Sequence, residues 1–117
     1  MKLHRSNLIS ELKREFPFLR EEINREMGLL HMEVSVFRRF TQQMICDGDR
    51  AIVEQCFKIA EKYYLNGNSK MVNAIGVSYI EDLDFTDTKQ NYKSWSWGYF
   101  PESLKKEYIS FHGKPSV

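Results

Sequence analysis

The chain has 117 residues with 17 Lys and Arg against 16 Asp and Glu, a formal net charge of +1. That length is one domain's worth, long enough to bury about two-thirds of the unfolded chain's surface in a single core, and it excludes two coupled catalytic domains. Hydrophobic residues make up 42% and charged ones 28%, a globular composition. The near balance of charge, with eight basic and seven acidic residues already mixed over 1–47, speaks against a basic nucleic-acid face.

Taken in chain order, Leu8, Ile9, Leu12, Phe16 and Leu19 recur at three- and four-residue steps between charges, which predicts an amphipathic helix with Ser6 as its N-cap. Pro17 cannot donate to the preceding turn and disfavours helical geometry at Phe16, so this helix ends or kinks there. A short helix over Phe18 to Met27 follows, broken by Gly28. Leu30, Val34, Phe37, Phe40, Thr41 and Met44 then share one face of a long core helix, opposite Glu33, Arg38, Arg39 and Gln42. Asp47-Gly48-Asp49 supplies a glycine stop and a carboxylate N-cap within three residues, which predicts a tight turn between antiparallel helices.

From Arg50 to Leu65 a second stripe of Val53, Cys56, Phe57, Ala60, Tyr63 and Tyr64 faces the core until Asn66-Gly67-Asn68 ends it. Residues 71–80 carry no charge, so this stretch is buried on most sides. Strand and helix compete for it. Ser69 as a cap, Glu81 and Asp82 at the far end and the helical surroundings favour helix. Pro101 suits a first helical position; Leu104, Tyr108, Ile109 and Phe111 make a last stripe, stopped by Gly113 and Pro115. The expected architecture is all-α: a single-domain antiparallel bundle of five to six helices, core about 6–113, with a short tail at 114–117 and a long aromatic loop before the last helix.

Chemistry-bearing patterns are sparse. His4, His31 and His112 fall in three different elements with no second ligand at metal spacing, so no metal site is expected. Cys46 and Cys56 lie ten positions apart on apolar stripes, outside any zinc, disulfide or nucleophile pattern, and are expected to be reduced and buried or nearly so. The six glycines occur singly, which leaves no phosphate-cradling loop and no expected cofactor. The carboxylate pairs Glu21-Glu22 and Glu81-Asp82 read as solvated charge on helices. No catalytic residue is assigned. The N-terminus lacks the apolar run of a signal peptide and no eighteen apolar residues follow one another, so a cytoplasmic protein with neither membrane nor nucleic acid as partner is expected.

One stretch stands apart. Residues 81–88 are acidic and 92–100 hold five aromatics, in a connection of about eighteen residues; loops of such length within a compact domain usually serve a function. Trp and Tyr dominate binding hot spots, and neighbouring carboxylates can pair with a basic surface. Glu81, Asp82, Asp84, Asp87, Tyr92, Trp95, Trp97 and Tyr99 are therefore the candidate partner-binding residues, with the alternative that Trp95 and Trp97 fold back as a lid over the core. Lys89 and Lys93 offset the two aspartates, so the loop as a whole is not strongly acidic.

Phe40-Thr41, Gly48-Asp49, Val53, Cys56-Phe57, the run from Val72 to Glu81, and Pro101-Glu102-Ser103-Leu104 together resemble a family of small all-helical bacterial domains often encoded beside polymorphic toxins. The likeness covers about residues 10–112. It implies an immunity-type protein that binds a cognate toxin domain and covers its active site or substrate groove, with no catalytic residue to carry over. A helical regulatory adaptor, or a small-ligand or enzymatic domain using a pocket beneath the aromatic loop, is the alternative.

Overall fold

The computed structural model describes residues 2–113. They form six α-helices: α1 (Arg5–Glu15), α2 (Arg20–Arg25), α3 (Leu30–Asp47), α4 (Arg50–Asn66), α5 (Ser69–Ile75) and α6 (Glu102–His112). A 3-10 turn, Pro17–Leu19, leads into α2; a π-helical segment, Gly76–Ile80, continues α5; a second 3-10 turn, Ser94–Tyr99, precedes α6. The architecture is all-α, and the described residues contain no strand beyond a single bridge between Leu3 and Gly67.

The breaks fall where backbone chemistry demands them. Phe16 leaves helical geometry at φ −130°, ψ 69°, just before Pro17. Gly48 takes the left-handed conformation that glycine tolerates best, at φ 73°, and closes α3 through bonds from its own N–H to Ile45 and from Asp49 to Met44. Asp49 then caps α4 by accepting from the Ile52 N–H at 3.2 Å. Two residues thus reverse the chain and pack α4 against α3.

Three expected boundaries shift by a residue or two. The cap of α1 is His4, not Ser6: the Asn7 side chain accepts from the His4 N–H at 3.0 Å, and the Ser6 hydroxyl meets His4 Nδ1. The cap of α5 is Asn68, not Ser69, because the Leu3 backbone pairs with Asn66 and Asn68 and holds Asn68 extended, so that its side chain accepts from the Met71 N–H at 2.9 Å. Pro101 is extended at ψ 147° and caps α6 instead of starting it. The expected helix over Phe18 to Met27 is shorter, splitting into the first 3-10 turn and the six residues of α2. Pro115 lies outside the described residues.

The charge-free stretch is helical, and its middle widens into the π segment. Tyr79 there is fully buried, stacks on Phe37 at 4.7 Å between centroids and shares a hydrogen bond with Thr41 at 2.9 Å. Gly67 marks the closest backbone approach: a Cβ there would lie 2.6 Å from Met71 Cγ and closer still to the Tyr63 carbonyl oxygen. One core runs through all these elements, from Leu8, Leu12 and Phe16 through Phe37, Phe57 and Tyr79 to Phe85, Phe100 and Leu104. No helix among the described residues is long and apolar enough to cross a membrane.

Candidate functional site

The stretch after the π segment is organised, which corrects the expectation of a loop without structure of its own. Leu83 and Phe85 alternate inward and are buried, leaving Asp84 outward between them. The Gln42 side chain on α3 holds the Asp84 backbone from both sides, accepting from its N–H at 2.9 Å and donating to its carbonyl at 3.0 Å. Asp87 accepts from the N–H groups of Lys93 and Ser94 at 2.7 and 2.8 Å and from the Ser94 hydroxyl at 2.8 Å, so one carboxylate starts the turn Ser94–Tyr99. Asp84 accepts from Lys93 Nζ at 2.8 Å and from the Thr86 N–H at 2.9 Å.

Electrostatics follow from these bonds. Burial pulls the Asp84 carboxyl upward, but the bonds from Lys93 and Thr86 and the Lys93 charge outweigh it, and its pKa lies below the ordinary value. The backbone and hydroxyl bonds from Ser94 lower that of Asp87. Both carboxylates are thus engaged within the segment itself.

The two tryptophans separate. Trp97 packs into the aromatic cluster, edge-on to Phe85 at 5.1 Å and Tyr108 at 5.4 Å, with Lys105 Nζ 5.2 Å from its ring. Trp95, half-buried against the core like Trp97, lies edge-on to Tyr99 at 5.7 Å, with the Arg50 guanidinium 4.5 Å from its ring centroid. Arg50, at the start of α4, and Tyr99 are exposed. Tyr92 and Asp82 are also exposed, and none of the hydrogen bonds or ion pairs among the described residues uses their side chains.

Glu81 belongs to a different surface. It lines a cleft of about 440 Å³ between α5, the π segment and α6, together with Asn73, Gly76, Val77 and Glu107. Glu107 Oε1 packs close to Gly76, 3.4 Å from where a Cβ would lie, and accepts from the Tyr64 hydroxyl at 3.3 Å. Partial burial, then the charges of Glu107 and Asp82, push the Glu81 carboxyl up, while His112, bonded to the Glu81 carbonyl, works the other way. Burial, then Glu107, raises the Tyr64 phenol.

One cluster went unread in the sequence. His31 on α3 meets the Ser78 hydroxyl through Nδ1 at 2.8 Å, and Asn73 donates to its Nε2 at 3.4 Å. These contacts tie α3 to α5 and the π segment. Cys56 is buried beside Thr41, and burial pushes its thiol up to about 12, so it stays protonated at neutral pH. Cys46 is half-buried. Among the described residues no group of three or more His, Cys, Asp or Glu is placed to hold a metal ion.

Arg50 completes the patch of Trp95 and Tyr99 and was not among the candidates. It lies 45 positions before Trp95, and its only local signal is a cation at a helix start next to Asp49. Residues 9–113 match the family described as Domain of unknown function (DUF7674), and the chain belongs to that family. Neither the curated proteins nor the solved structures contain a match to the chain.

Proposed function

We propose that this DUF7674 chain is a binding protein of the immunity type, which neutralises a cognate toxin domain by covering that domain's active site or substrate groove. The observation that carries the reading is the patch of Arg50, Trp95 and Tyr99: an exposed guanidinium 4.5 Å over a half-buried indole, with a tyrosine edge-on to it. Asp84, Asp87 and Gln42 hold the backbone beneath it, so the rings are ordered before a partner arrives and little conformational entropy remains to be lost on binding. Trp, Tyr and Arg are the residue types that dominate interface energetics. The resemblance to toxin-associated helical domains supports the same reading, and a cytoplasmic location goes with it.

Because the aspartates are engaged within their own segment, the patch meets its partner through rings and the Arg50 guanidinium, with carboxylate groups as the complementary chemistry. A second reading, a small-ligand domain, is favoured by the cleft holding Glu81 and Glu107. The deciding experiment is a binding titration at physiological salt against the C-terminal domain encoded by the adjacent gene. Tight one-to-one binding that suppresses that domain's toxicity, and weakens roughly thirtyfold in Trp95→Ala as expected for a hot-spot aromatic, supports the reading. A folded domain that fails to bind, or binds Trp95→Ala equally well, overturns it and moves attention to the cleft.

A further inference from the structure

A cavity of about 340 Å³ opens where the start of α1 meets the start of α5, lined by His4, Arg5, Gly28, Leu30, Asn68 and Lys70. Bonds already in place bring these elements together. The Leu3 backbone pairs with Asn66 and Asn68, at 2.8 Å each, which sets His4 beside Asn68. Buried Glu33 holds Arg5 through Nε and Nη2. Gly28, at φ 82°, carries the chain past the same guanidinium, with Arg5 Nη2 3.7 Å from where a Cβ would lie.

The lining is rich in donors, and none of the described residues in it is a carboxylate. Asn68 accepts from the Met71 N–H through Oδ1, which leaves its Nδ2 to donate. Arg5 keeps Nη1 free of Glu33, with 44% of its side chain in solvent. Among the described residues Lys70 has neither a hydrogen-bond nor an ion-pair partner. Because Glu33 offsets the Arg5 charge, Lys70 carries the uncompensated positive charge, and α1, with no acidic residue in its first turn, adds the positive end of its dipole.

These groups suit a compact anion with several acceptor oxygens. The Arg5 fork is closed on Glu33, so planar two-bond recognition of a carboxylate is not open to it; a tetrahedral phosphate can instead take single bonds from Arg5 Nη1, Lys70 Nζ and Asn68 Nδ2. The volume lies near the lower end for small-molecule sites, room for a phosphate and a short organic group against Leu30. Met27 and Leu29, on either side of Gly28, are 87% and 61% exposed, so the same phosphate chemistry can arrive free or on a lipid headgroup.

We propose that this cavity binds a phosphate monoester, with Lys70, Arg5 and Asn68 as donors. It shares no lining residue with the Glu81–Glu107 cleft or the Arg50–Trp95 patch, so it stands apart from the reading above. The test is a titration of the full chain with glycerol 3-phosphate at constant ionic strength, read by amide chemical shifts and thermal unfolding. Saturable binding with Kd of about 1 mM or tighter is expected, with a rise in Tm of about 5 °C at tenfold excess over Kd. Lys70→Glu should weaken binding by about tenfold or more with unchanged far-ultraviolet circular dichroism, and Lys70→Arg should retain it. A parallel arm uses phosphatidylcholine vesicles containing phosphatidic acid: co-sedimentation lost in Lys70→Glu, without binding of glycerol 3-phosphate, assigns the phosphate to a lipid headgroup. Failure of both probes overturns the proposal, as does binding that sodium acetate reproduces or that Lys70→Glu leaves unchanged.

Discussion

Arg5, in the first turn of α1, grips Glu33 on α3 with two parallel bonds, Nε to Oε1 at 2.7 Å and Nη2 to Oε2 at 2.6 Å, and Glu33 is only 1% exposed. The pair lies across 28 positions of sequence and ties the N-terminus of the bundle to its central helix. Its geometry is the bidentate fork that only arginine offers a carboxylate. Because Arg5 keeps 44% of its side chain in solvent, the pair falls between an exposed ion pair and a fully buried one. Arg5→Met strands the Glu33 carboxylate and is expected to cost about 2 kcal/mol in urea unfolding. Arg5→Met with Glu33→Leu removes both charges and should recover most of that loss.

Trp97 and Trp95 are expected to respond to truncation in different degree. Trp97→Ala removes the ring that packs on Phe85, Phe100 and Tyr108, and should destabilise the fold by about 3 kcal/mol. Trp95→Ala loses the contacts with Tyr99 and Arg50 and the half-buried part of its packing on the core, and should cost about 2 kcal/mol while leaving the unfolding cooperative. Urea titrations of the two variants side by side check this, and equal losses would contradict it.

The two cysteines should separate in reactivity. Cys56 has no exposed surface and a thiol pushed up to about 12 by burial, whereas Cys46 is half-buried. Iodoacetamide at mildly alkaline pH should modify Cys46 alone in the folded chain and both thiols after denaturation, as read by peptide mass. Equal labelling of both in the native state would refute the burial of Cys56.

Acid should loosen the 84–94 segment first. Asp84 and Asp87 sit below the ordinary carboxylate value when folded, so the unfolded chain binds more protons as the solution is acidified. Their stabilisation is complete above the unfolded value, about 4, and is lost as pH falls through the lower folded values. Glu81, whose carboxyl is raised, has the opposite sign: folding binds protons there, so its carboxylate weighs against the fold at neutral pH and is relieved as it protonates. Near-ultraviolet circular dichroism of the tryptophans from neutral pH to strong acid reports the first effect. Asp87→Asn, which keeps one carbonyl acceptor but no charge, should flatten the acid-dependent step; an unaltered step would remove Asp87 from the account.

Much of the fold was legible in the sequence because helix punctuation is local. Pro17, Gly28 and Gly48 act on their own backbone, and the apolar period names Leu8, Leu12, Phe37, Val53 and Phe57 as core without knowledge of their neighbours. The caps were less legible. Ser69 is a good capping residue by type, yet Asn68 caps α5, because pairing with Leu3, 65 positions upstream, fixes Asn68 in the extended conformation. The π segment left no mark in the sequence either; it places Tyr79 on Phe37 and Thr41, and Ser78 on His31, contacts that arise only once α3 is alongside.

By itself, the sequence determined which residues are apolar at helical spacing, where the chain must turn, and that aromatics and acids crowd into 81–100. Only the tertiary structure decided what those residues do. A carboxylate in a polar stretch of sequence reads as surface charge, yet Asp87 closes on backbone N–H groups six and seven residues ahead, and Trp95 meets a guanidinium 45 residues behind. Periodicity and punctuation depend on each residue's own backbone and neighbours. A hydrogen bond or an aromatic contact depends on which groups packing brings within a few ångströms, and that is set by the whole chain at once.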